Sequence, residues 1–174
     1  MTKAIYVGSF DPFTWGHWDI LTIASKLFDE VHLVFAINSQ KTRSYDANEQ
    51  AAALKNYCLE CRITNVIITV TDQLLVDYAK QNDIQYIVRG VRNPTDYEYE
   101  TNIANINKML YPECQLIFIQ SNYPNISSSF VKEMIRYNKD WKQYVPKPIA
   151  DIIEEELKTI EIIRSITDDL FTHN

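Results

Sequence analysis

The stretch GSFDPFTWGH, residues 8–17, contains two of the chain's three glycines and one of its three histidines. Gly8 follows a short apolar run, and a glycine there lets a ligand approach the main chain closely. Thr14 can cap a helix that begins near Gly16, which places His17 in the first helical turn. The positive end of a helix dipole favours phosphate. A strand–turn–helix corner with an incidental histidine explains these residues equally well, so this stretch alone leaves both interpretations open.

The remaining glycine, Gly90, lies between Arg89 and Arg92, directly after a predicted strand. Two arginines beside a glycine can present guanidinium donors and a bare backbone amide to one anion. The acidic run that follows, residues 96–100, offers a second interpretation. In that case the arginines only form ion pairs on a solvated loop.

A third polar stretch, Ile126–Ser129, places three serines directly before a helical pattern. Serine is a common helix cap, which explains the stretch fully, and hydroxyl and amide groups at a helix start also form a cradle for polyphosphate. Lys41 is one of 17 basic residues and is weak evidence by itself. Neither GxxxxGK[ST] nor GxGxxG occurs in the sequence, which removes the usual phosphate-binding loops.

Strand-like segments alternate with helical patterns along the chain, which predicts an α/β fold with a doubly wound parallel sheet. Ligands of such sheets bind beyond the carboxyl ends of the strands. The polar stretches described above follow strands directly, so we expect them to meet there. The predicted strands are Lys3–Gly8, Val31–Asn38, Asn65–Val70, Tyr86–Val88 and Gln115–Ile119. The predicted helices are one around Trp18–Phe28, then Asp46–Glu60, Leu74–Lys80, Asp96–Leu110, Ser127–Tyr137 and Pro148–Ile163.

Length and composition indicate one globular domain. The chain has 174 residues, 46% hydrophobic and 23% charged, which is ordinary for a protein with a buried core. The net charge of −6 argues against a surface that coats nucleic acid. No apolar run reaches membrane-spanning length, and no signal peptide precedes the first predicted strand. We therefore expect a cytoplasmic protein that binds neither nucleic acid nor membrane.

Cys58 and Cys61 have the CxxC spacing of some zinc and redox sites. No second cysteine or histidine pair occurs at ligand spacing, and Cys58 and Cys61 lie late in a predicted helix rather than on a turn. We therefore expect both cysteines to be structural, reduced thiols, and we expect no dedicated metal site.

Four stretches together resemble one family: GSFDPFTWGH, Lys41, RGVRNPTDYEYE and ISSSFVKEMIR. They are similar to the bacterial phosphopantetheine adenylyltransferases, nucleotidyltransferases of the TxGH/HxGH type, from Lys3 to about Val145. TxGH marks the superfamily, and RGVR followed by DYEYE narrows the choice to this family. The resemblance implies a single Rossmann-like domain with a five-stranded sheet and helices on both faces. Residues 1–147 are then the nucleotidyltransferase domain, and 148–174 are its C-terminal helical extension.

The reaction implied by this resemblance moves AMP from ATP to 4'-phosphopantetheine, giving dephospho-coenzyme A and pyrophosphate in coenzyme A biosynthesis. Mg²⁺ is expected to arrive with ATP, because no carboxylate cage is visible. Coenzyme A is an expected feedback inhibitor, and the family's habit is a homohexamer.

Family roles also follow from the resemblance, residue by residue. The implied catalytic residues are His17, which stabilises the transition state at the α-phosphate, and Lys41 and Arg89, which face the phosphopantetheine and the developing charge. Ser9 binds phosphate near the reacting centre, and Leu75 offers a backbone contact to the pantetheine arm. The implied ATP-binding residues are Ser9, Phe10, His17, Gly90, Val91, Arg92, Glu100, Tyr123, Pro124, Asn125, Ile126, Ser127, Ser128 and Ser129.

The sequence departs from the family pattern at several positions. Val7 stands where the family often has proline, and Ser9 where it has threonine. Residues 48–50 read Asn-Glu-Gln and lack the common Glu-Arg pair, which leaves any salt bridge there in doubt. The chain also continues past the usual family end.

Two other functions remain as alternatives. A related small adenylyl- or cytidylyltransferase, acting on nicotinate mononucleotide or an alcohol phosphate, usually has histidine in place of Thr14 and lacks the RGVR…DYEYE pairing. A nucleotide-binding regulator without turnover would not need His17, Lys41, Arg89 and Arg92 together.

The C-terminal segment has apolar residues at steps of three and four, which predicts a helix with one apolar face. We expect that face to be buried, against its own domain or a neighbouring subunit. The apolar residues are Ile149, Ile153, Leu157, Ile160, Ile163 and Ile166.

Overall fold

The structure, a computed structural model, describes residues 1–172. His173 and Asn174, the end of the predicted extension, lie outside the described residues. Along those 172 residues no helix is both long enough and apolar enough to cross a bilayer.

Five parallel strands form one sheet, and they are β1 (Lys3–Gly8), β2 (Glu30–Ala36), β3 (Val66–Thr71), β4 (Tyr86–Gly90) and β5 (Gln115–Ile119). Their order is β3-β2-β1-β4-β5, so the chain winds outward from β1 to β3 and returns to β4 on the other side of β1. This is the order of a Rossmann-like doubly wound sheet, and it confirms the predicted fold class. The direction of winding reverses between β1 and β4, where such sheets bind ligands.

Helices connect the strands, and most begin at a side chain that accepts a backbone N–H. The helices are α1 (Trp15–Leu27), α2 (Ala47–Glu60), α3 (Leu75–Gln81), α4 (Pro94–Leu110), α5 (Ser128–Arg136) and α6 (Lys147–Thr172). Thr14, Asp46, Asn93 and Ser127 cap α1, α2, α4 and α5. These caps explain why helices start directly after the polar stretches of the sequence.

The sheet has a core on each face, because side chains alternate along a strand. Ala4 and Tyr6 of β1 pack on one face with apolar residues of α1, α2, α5 and α6. Ile5 and Val7 of the same strand pack on the other face, mainly with α3. Helices therefore cover both faces, as predicted.

The observed bounds of β1 and β5 match the predicted bounds, whereas β4 is longer than predicted. The predicted strand Tyr86–Val88 continues to Gly90, because both added residues pair with the edge strand β5. The placement of Arg89 and Gly90 on a loop after the strand was therefore wrong. They are the last two strand residues, which holds them more rigidly than a loop would.

Helix α6 is also longer than the predicted Pro148–Ile163 and consists of two unlike halves. Ile149 and Ile153 are fully buried in the core that includes α2. Farther along, Ile160, Ile163 and Ile166 are 37%, 58% and 56% exposed. The prediction of a buried apolar face is therefore correct within the chain only for the first half of the helix.

Candidate active site

A cavity of about 270 Å³ lies at the carboxyl ends of β1 and β4, at the point where the sheet's winding reverses. It brings together most of the three polar stretches singled out in the sequence. The lining residues are Tyr6, Val7, Gly8, Ser9, Phe10, Gly16, His17, Ile20, Arg89, Gly90, Val91, Arg92, Asp96, Glu100, Ser121, Tyr123, Ile126, Ser127, Ser128 and Ser129.

The His17 ring has a defined tautomer. The backbone N–H of Thr14 donates to Nδ1 of His17 at 3.0 Å, so Nδ1 is an acceptor. In the neutral ring the proton is then on Nε2, which can act as a donor. The ring packs between Phe10 and Phe13, with centroids 5.0 and 5.4 Å away. This arrangement fixes both the orientation and the donor atom of the imidazole.

Burial and neighbouring positive charges disfavour protonation of His17. Burial of the ring lowers its pKa to about 3, and the positive charges of Arg92 and Arg89 act in the same direction. A histidine is uncharged above its pKa, so this ring is neutral across the physiological range. It can therefore donate a hydrogen bond, and it is a poor general base.

The turn between β1 and α1 is held by a residue that sequence reasoning missed. Phe10 has a φ of 45°, a left-handed conformation that is unfavourable for a phenylalanine. The side chain of Gln50 stabilises it, since Nε2 donates to the carbonyl of Phe10 at 3.1 Å and Oε1 accepts the N–H of Phe13 at 2.9 Å. Gln50 is fully buried. The sequence signal for this role was a polar residue, Gln50, on the apolar helix face that also bears Leu54.

The first arginine of the RGVR stretch forms a bidentate ion pair. Nε and Nη2 of Arg89 donate to the two carboxylate oxygens of Glu100 at 2.6 and 2.5 Å, and Nη1 donates to the carbonyl of Val7 at 2.7 Å. Glu100 is the one buried residue of α4. A guanidinium has five N–H donors, so two remain for an anion in the cavity.

The second arginine is paired with the acidic run as well. Nε of Arg92 donates to Asp96 at 2.9 Å, four residues along the chain, and both side chains line the cavity. The two interpretations of this stretch are therefore compatible. The arginines form ion pairs with the acidic run, and they also present positive charge to the cavity.

The serine stretch caps a helix and also lines the cavity. The hydroxyl of Ser127 accepts the N–H of Phe130 and caps α5, and the hydroxyl of Ser128 donates to the carbonyl of Pro12 at 2.7 Å. Ser129 is exposed at the cavity wall. The starts of α1 and α5 thus face one cavity, which concentrates partial positive charge there.

Gly16 is required for this convergence of two helix starts. A Cβ at Gly16 would lie 2.5 Å from the carbonyl oxygen of Ile126, closer than such atoms pack. The hydroxyl of Thr14 donates to the same carbonyl at 3.2 Å. The TxGH stretch therefore joins the first helix directly to the loop that follows β5.

The same loop is held to α1 by Asp19, which sequence reasoning also missed. Its carboxylate accepts the hydroxyl of Ser121 at 3.0 Å and the backbone N–H of Asn122 at 2.6 Å. The partners are about a hundred residues apart in sequence, so no local pattern indicates them. Tyr6, Ile20 and Ser121 are lining residues that the sequence did not single out either.

Four of the implied site residues do not line the cavity. Lys41 is exposed on the turn after β2, and Leu75 is half-buried at the start of α3. Pro124 and Asn125 belong to the loop after β5 but stand outside the lining set. Lys41 and Leu75 follow β2 and β3, so they lie at the same edge of the sheet as the cavity.

The cysteines are free and stand apart from the cavity. Cys58 packs in the core, where burial raises the pKa of its thiol to about 11, and Cys61 is exposed. Cys114 is buried on the other face of the sheet. Among residues 1–167, whose side chains the structure describes, no group of three or more histidine, cysteine, aspartate or glutamate side chains could hold a metal ion.

The chain belongs to the nucleotidyltransferase superfamily. The family described as cytidylyltransferase-like matches residues 5–134, which include all three polar stretches. A crystal structure of a Vibrio parahaemolyticus protein, assigned to the nicotinate-nucleotide adenylyltransferases, superposes with a TM-score of 0.64 over 90% of this chain and 95% of that one. The two sequences are 19% identical, so this likeness shows the shared fold alone.

Curated relatives narrow the family further. A phosphopantetheine adenylyltransferase of Shouchella clausii is 41% identical over 89% of this chain and 98% of its own length. One of Dictyoglomus turgidum is 41% identical over 91% and 99%, and one of Levilactobacillus brevis is 36% identical over 91% and 98%. The chain belongs to the phosphopantetheine adenylyltransferase family.

Proposed function

We propose that this protein transfers AMP from MgATP to 4'-phosphopantetheine, giving dephospho-coenzyme A and pyrophosphate. A phosphate oxygen of the acceptor forms a bond to the α-phosphorus of ATP, and the bond from that phosphorus to the bridging oxygen of pyrophosphate breaks. The observation that supports this reaction best is that His17, whose Nδ1 accepts the N–H of Thr14 and leaves Nε2 as the donor, lines one cavity with Arg89 and Arg92.

This reaction needs no general base. The attacking group is already a phosphate anion, so catalysis consists of positioning and of neutralising charge that develops on the phosphoryl oxygens. A histidine with a pKa of about 3 suits that task, since it donates without becoming charged. The site provides such a donor, two arginines and two helix starts. The reaction needs no group that removes a proton.

In this reaction we assign each side chain the role that the family resemblance implies. His17 donates to the α-phosphate, and Ser9 binds a neighbouring phosphoryl oxygen from the adjacent turn. The two free N–H groups of Arg89 face the acceptor phosphate and the developing charge. Lys41 approaches the same phosphate from the β2 edge, and the backbone near Leu75 contacts the pantetheine arm.

ATP occupies the side of the cavity formed by β4 and α5. Arg92 and the main chain at Gly90 and Val91 bind its phosphates and ribose, and the serine stretch surrounds the polyphosphate. Glu100 acts here through Arg89, because both of its carboxylate oxygens accept from that guanidinium. The adenine lies against the loop after β5, whose residues are Tyr123, Pro124, Asn125 and Ile126.

The family resemblance supports a proposal for the wider setting as well. Mg²⁺ enters as part of the substrate MgATP, and the protein works in the cytoplasm as a homohexamer. Coenzyme A, which contains the product's phosphopantetheine arm, is the proposed feedback inhibitor.

Pyrophosphate release tests this function directly. Purified protein is incubated with MgATP and either 4'-phosphopantetheine or nicotinate mononucleotide, and pyrophosphate and dephospho-coenzyme A are measured. We expect turnover with 4'-phosphopantetheine alone. Turnover with nicotinate mononucleotide alone would contradict the assignment, and nucleotide binding without turnover of either would identify a regulator instead.

A further inference from the structure

The segment between β2 and α2, residues 37–46, contains Lys41 and lies against the turn that follows β1. We propose that Arg43 is a positioning residue, which anchors this segment, and Lys41 with it, to the turn that bears Ser9. The inference rests on the adenylyl transfer proposed above and adds a residue to its machinery.

The Arg43 guanidinium binds three backbone carbonyls from two segments. Nη1 donates to the carbonyl of Ser9 at 2.7 Å and Nη2 to that of Phe10 at 3.2 Å. Nε donates to the carbonyl of Tyr45, within its own segment, at 3.2 Å. The side chain is 17% exposed, and the bonds to Phe10 and Tyr45 are partly buried, whereas the bond to Ser9 is exposed. A planar fork of donors makes this pattern possible, and a lysine cannot reproduce it.

A side chain of the turn also binds the backbone of the segment between β2 and α2. The Asp11 carboxylate accepts the backbone N–H of Ser44 at 2.9 Å and that of Tyr45 at 2.9 Å. Nη2 of Arg43 lies 4.0 Å from the same carboxylate. Each segment therefore binds the backbone of the other through a charged side chain, and the two charges are close enough to attract each other.

Lys41 stands two residues before this anchor. Its side chain is exposed, and its backbone N–H donates to the carbonyl of Asn38 in a tight turn. The position of the Lys41 ammonium relative to the cavity thus depends on how the segment is fixed at Arg43. Displacement of a charged group by about 1 Å can lower a rate by about 10²-fold.

The positive charge beside Asp11 does not come from position 50, where this chain departs from the family pattern. Position 50 is glutamine in this chain, and Gln50 binds the carbonyl of Phe10 without bringing a charge to Asp11. The positive charge beside Asp11 comes instead from Arg43 and, at 3.6 Å, from Lys132. Arg43 is thus both a charge partner of Asp11 and a donor to the turn's carbonyls. Lys132 is a charge partner of Asp11 only.

The experiment compares Arg43→Ala, Arg43→Lys, Lys41→Ala and the double variant of Arg43→Ala with Lys41→Ala. Lys132→Ala is the matched control, since it removes a charge beside Asp11 and leaves the carbonyl bonds intact. Steady-state kinetics with 4'-phosphopantetheine, ATP affinity by calorimetry and amide hydrogen exchange are measured for each.

We expect Arg43→Ala to lower kcat/KM for 4'-phosphopantetheine about 10²-fold while ATP affinity changes by about threefold or less. Arg43→Lys should recover part of the loss, and Lys132→Ala should stay within about threefold of wild type. Lys41→Ala should cost at least about tenfold less in the Arg43→Ala background than alone, because the two residues act as one unit. Additive losses, or an Arg43→Ala protein with wild-type kinetics, would overturn the proposal.

Hydrogen exchange tests the anchor without relying on turnover. The amides of Ser44 and Tyr45 should exchange faster in Arg43→Ala, or in Arg43→Lys if the alanine variant does not fold, and not in Lys132→Ala. Unchanged exchange at both amides would contradict the anchoring role. A wild-type protein without turnover would contradict the proposed reaction instead, and the exchange result would still decide the role of Arg43.

Discussion

The corner at residues 8–17 and the distal half of α6, residues 158–172, are held by different kinds of contact. At the corner, Thr14, Phe13 and Gln50 are fully buried, and hydrogen bonds reach partners as far away as Ile126. In the distal half of α6, Ile162 is 60% exposed, and the side-chain bonds described as far as Thr167 connect neighbouring turns of the same helix.

This contrast shows which part of the fold must keep a fixed geometry. Long-range bonds hold the backbone around His17, and catalysis by positioning depends on such fixed geometry. Local bonds maintain the distal helix, and they place no constraint on the site. Substitutions at the corner should therefore change the chemistry, and changes to the distal helix should alter stability or assembly alone.

Removing the fixed donor of the corner should have the largest effect. We expect His17→Ala to fold normally and to lose roughly 10²-fold or more in kcat, as when one preorganised transition-state donor is deleted. ATP affinity should change much less. His17→Gln, whose Nε2 can stand near the imidazole Nε2, should retain more activity than the alanine variant. A normal kcat with greatly weakened ATP binding would make His17 a binding residue.

The two arginine–carboxylate pairs offer the next test. Glu100→Ala removes a buried bidentate partner and frees the Arg89 guanidinium to move. Hydrogen bonds to charged groups contribute about 1.5–3 kcal/mol, so kcat/KM should fall roughly 10- to 10²-fold. Asp96→Ala is the matched control, because Arg92 is 45% exposed and its pair is weaker.

The loss for Asp96→Ala should be about fivefold or less. Equal losses in the two variants would show that burial of the carboxylate does not matter for orienting the arginine.

Shortening α6 tests the claim that the distal helix affects stability or assembly and not the chemistry. A chain that ends after Ile160 keeps Ile149 and Ile153 in the core, so its kcat should remain within about twofold of wild type. Its melting temperature or its assembly, followed by light scattering, should decrease, because an exposed apolar stripe of this kind favours association.

A chain that ends after Val145 is the matched control for this truncation. It loses both buried isoleucines, each worth about 1.5–3 kcal/mol, and should fold poorly. A stable, well-assembled protein ending after Ile160 that has no activity would show that the distal helix reaches the site.

Local patterns in the sequence were sufficient for the elements and for most of the cavity wall. Alternation of apolar runs and helical spacing gave the strands, the caps and the parallel sheet. The polar stretches after β1, β4 and β5 then had to meet at one edge of that sheet. Family resemblance supplied the roles, which no spacing could have provided.

The residues that hold the backbone of the site in place could not be predicted from local patterns. Gln50 bonds residues nearly forty positions away, and Asp19 bonds residues about a hundred positions away. Such contacts depend on the final packing and leave no periodic signal. The length of β4 was missed for a similar reason, since Arg89 and Gly90 are held as strand by pairing with β5.

The most direct test of this account is the protonation state of His17, measured by ¹⁵N NMR of the imidazoles between pH 5 and 8. The His17→Gln protein assigns the signal by difference. We expect a neutral ring protonated on Nε2 throughout, because a pKa lowered to about 3 leaves no titration in this range. In the unfolded chain the same histidine titrates near its ordinary pKa, so its contribution to stability should be present above that pKa and should diminish as the pH falls below it. The rate with 4'-phosphopantetheine should show no ionisation of His17 over the same range. A ring that gains a proton near pH 6.5, or that has its proton on Nδ1, would contradict the neutral-donor mechanism.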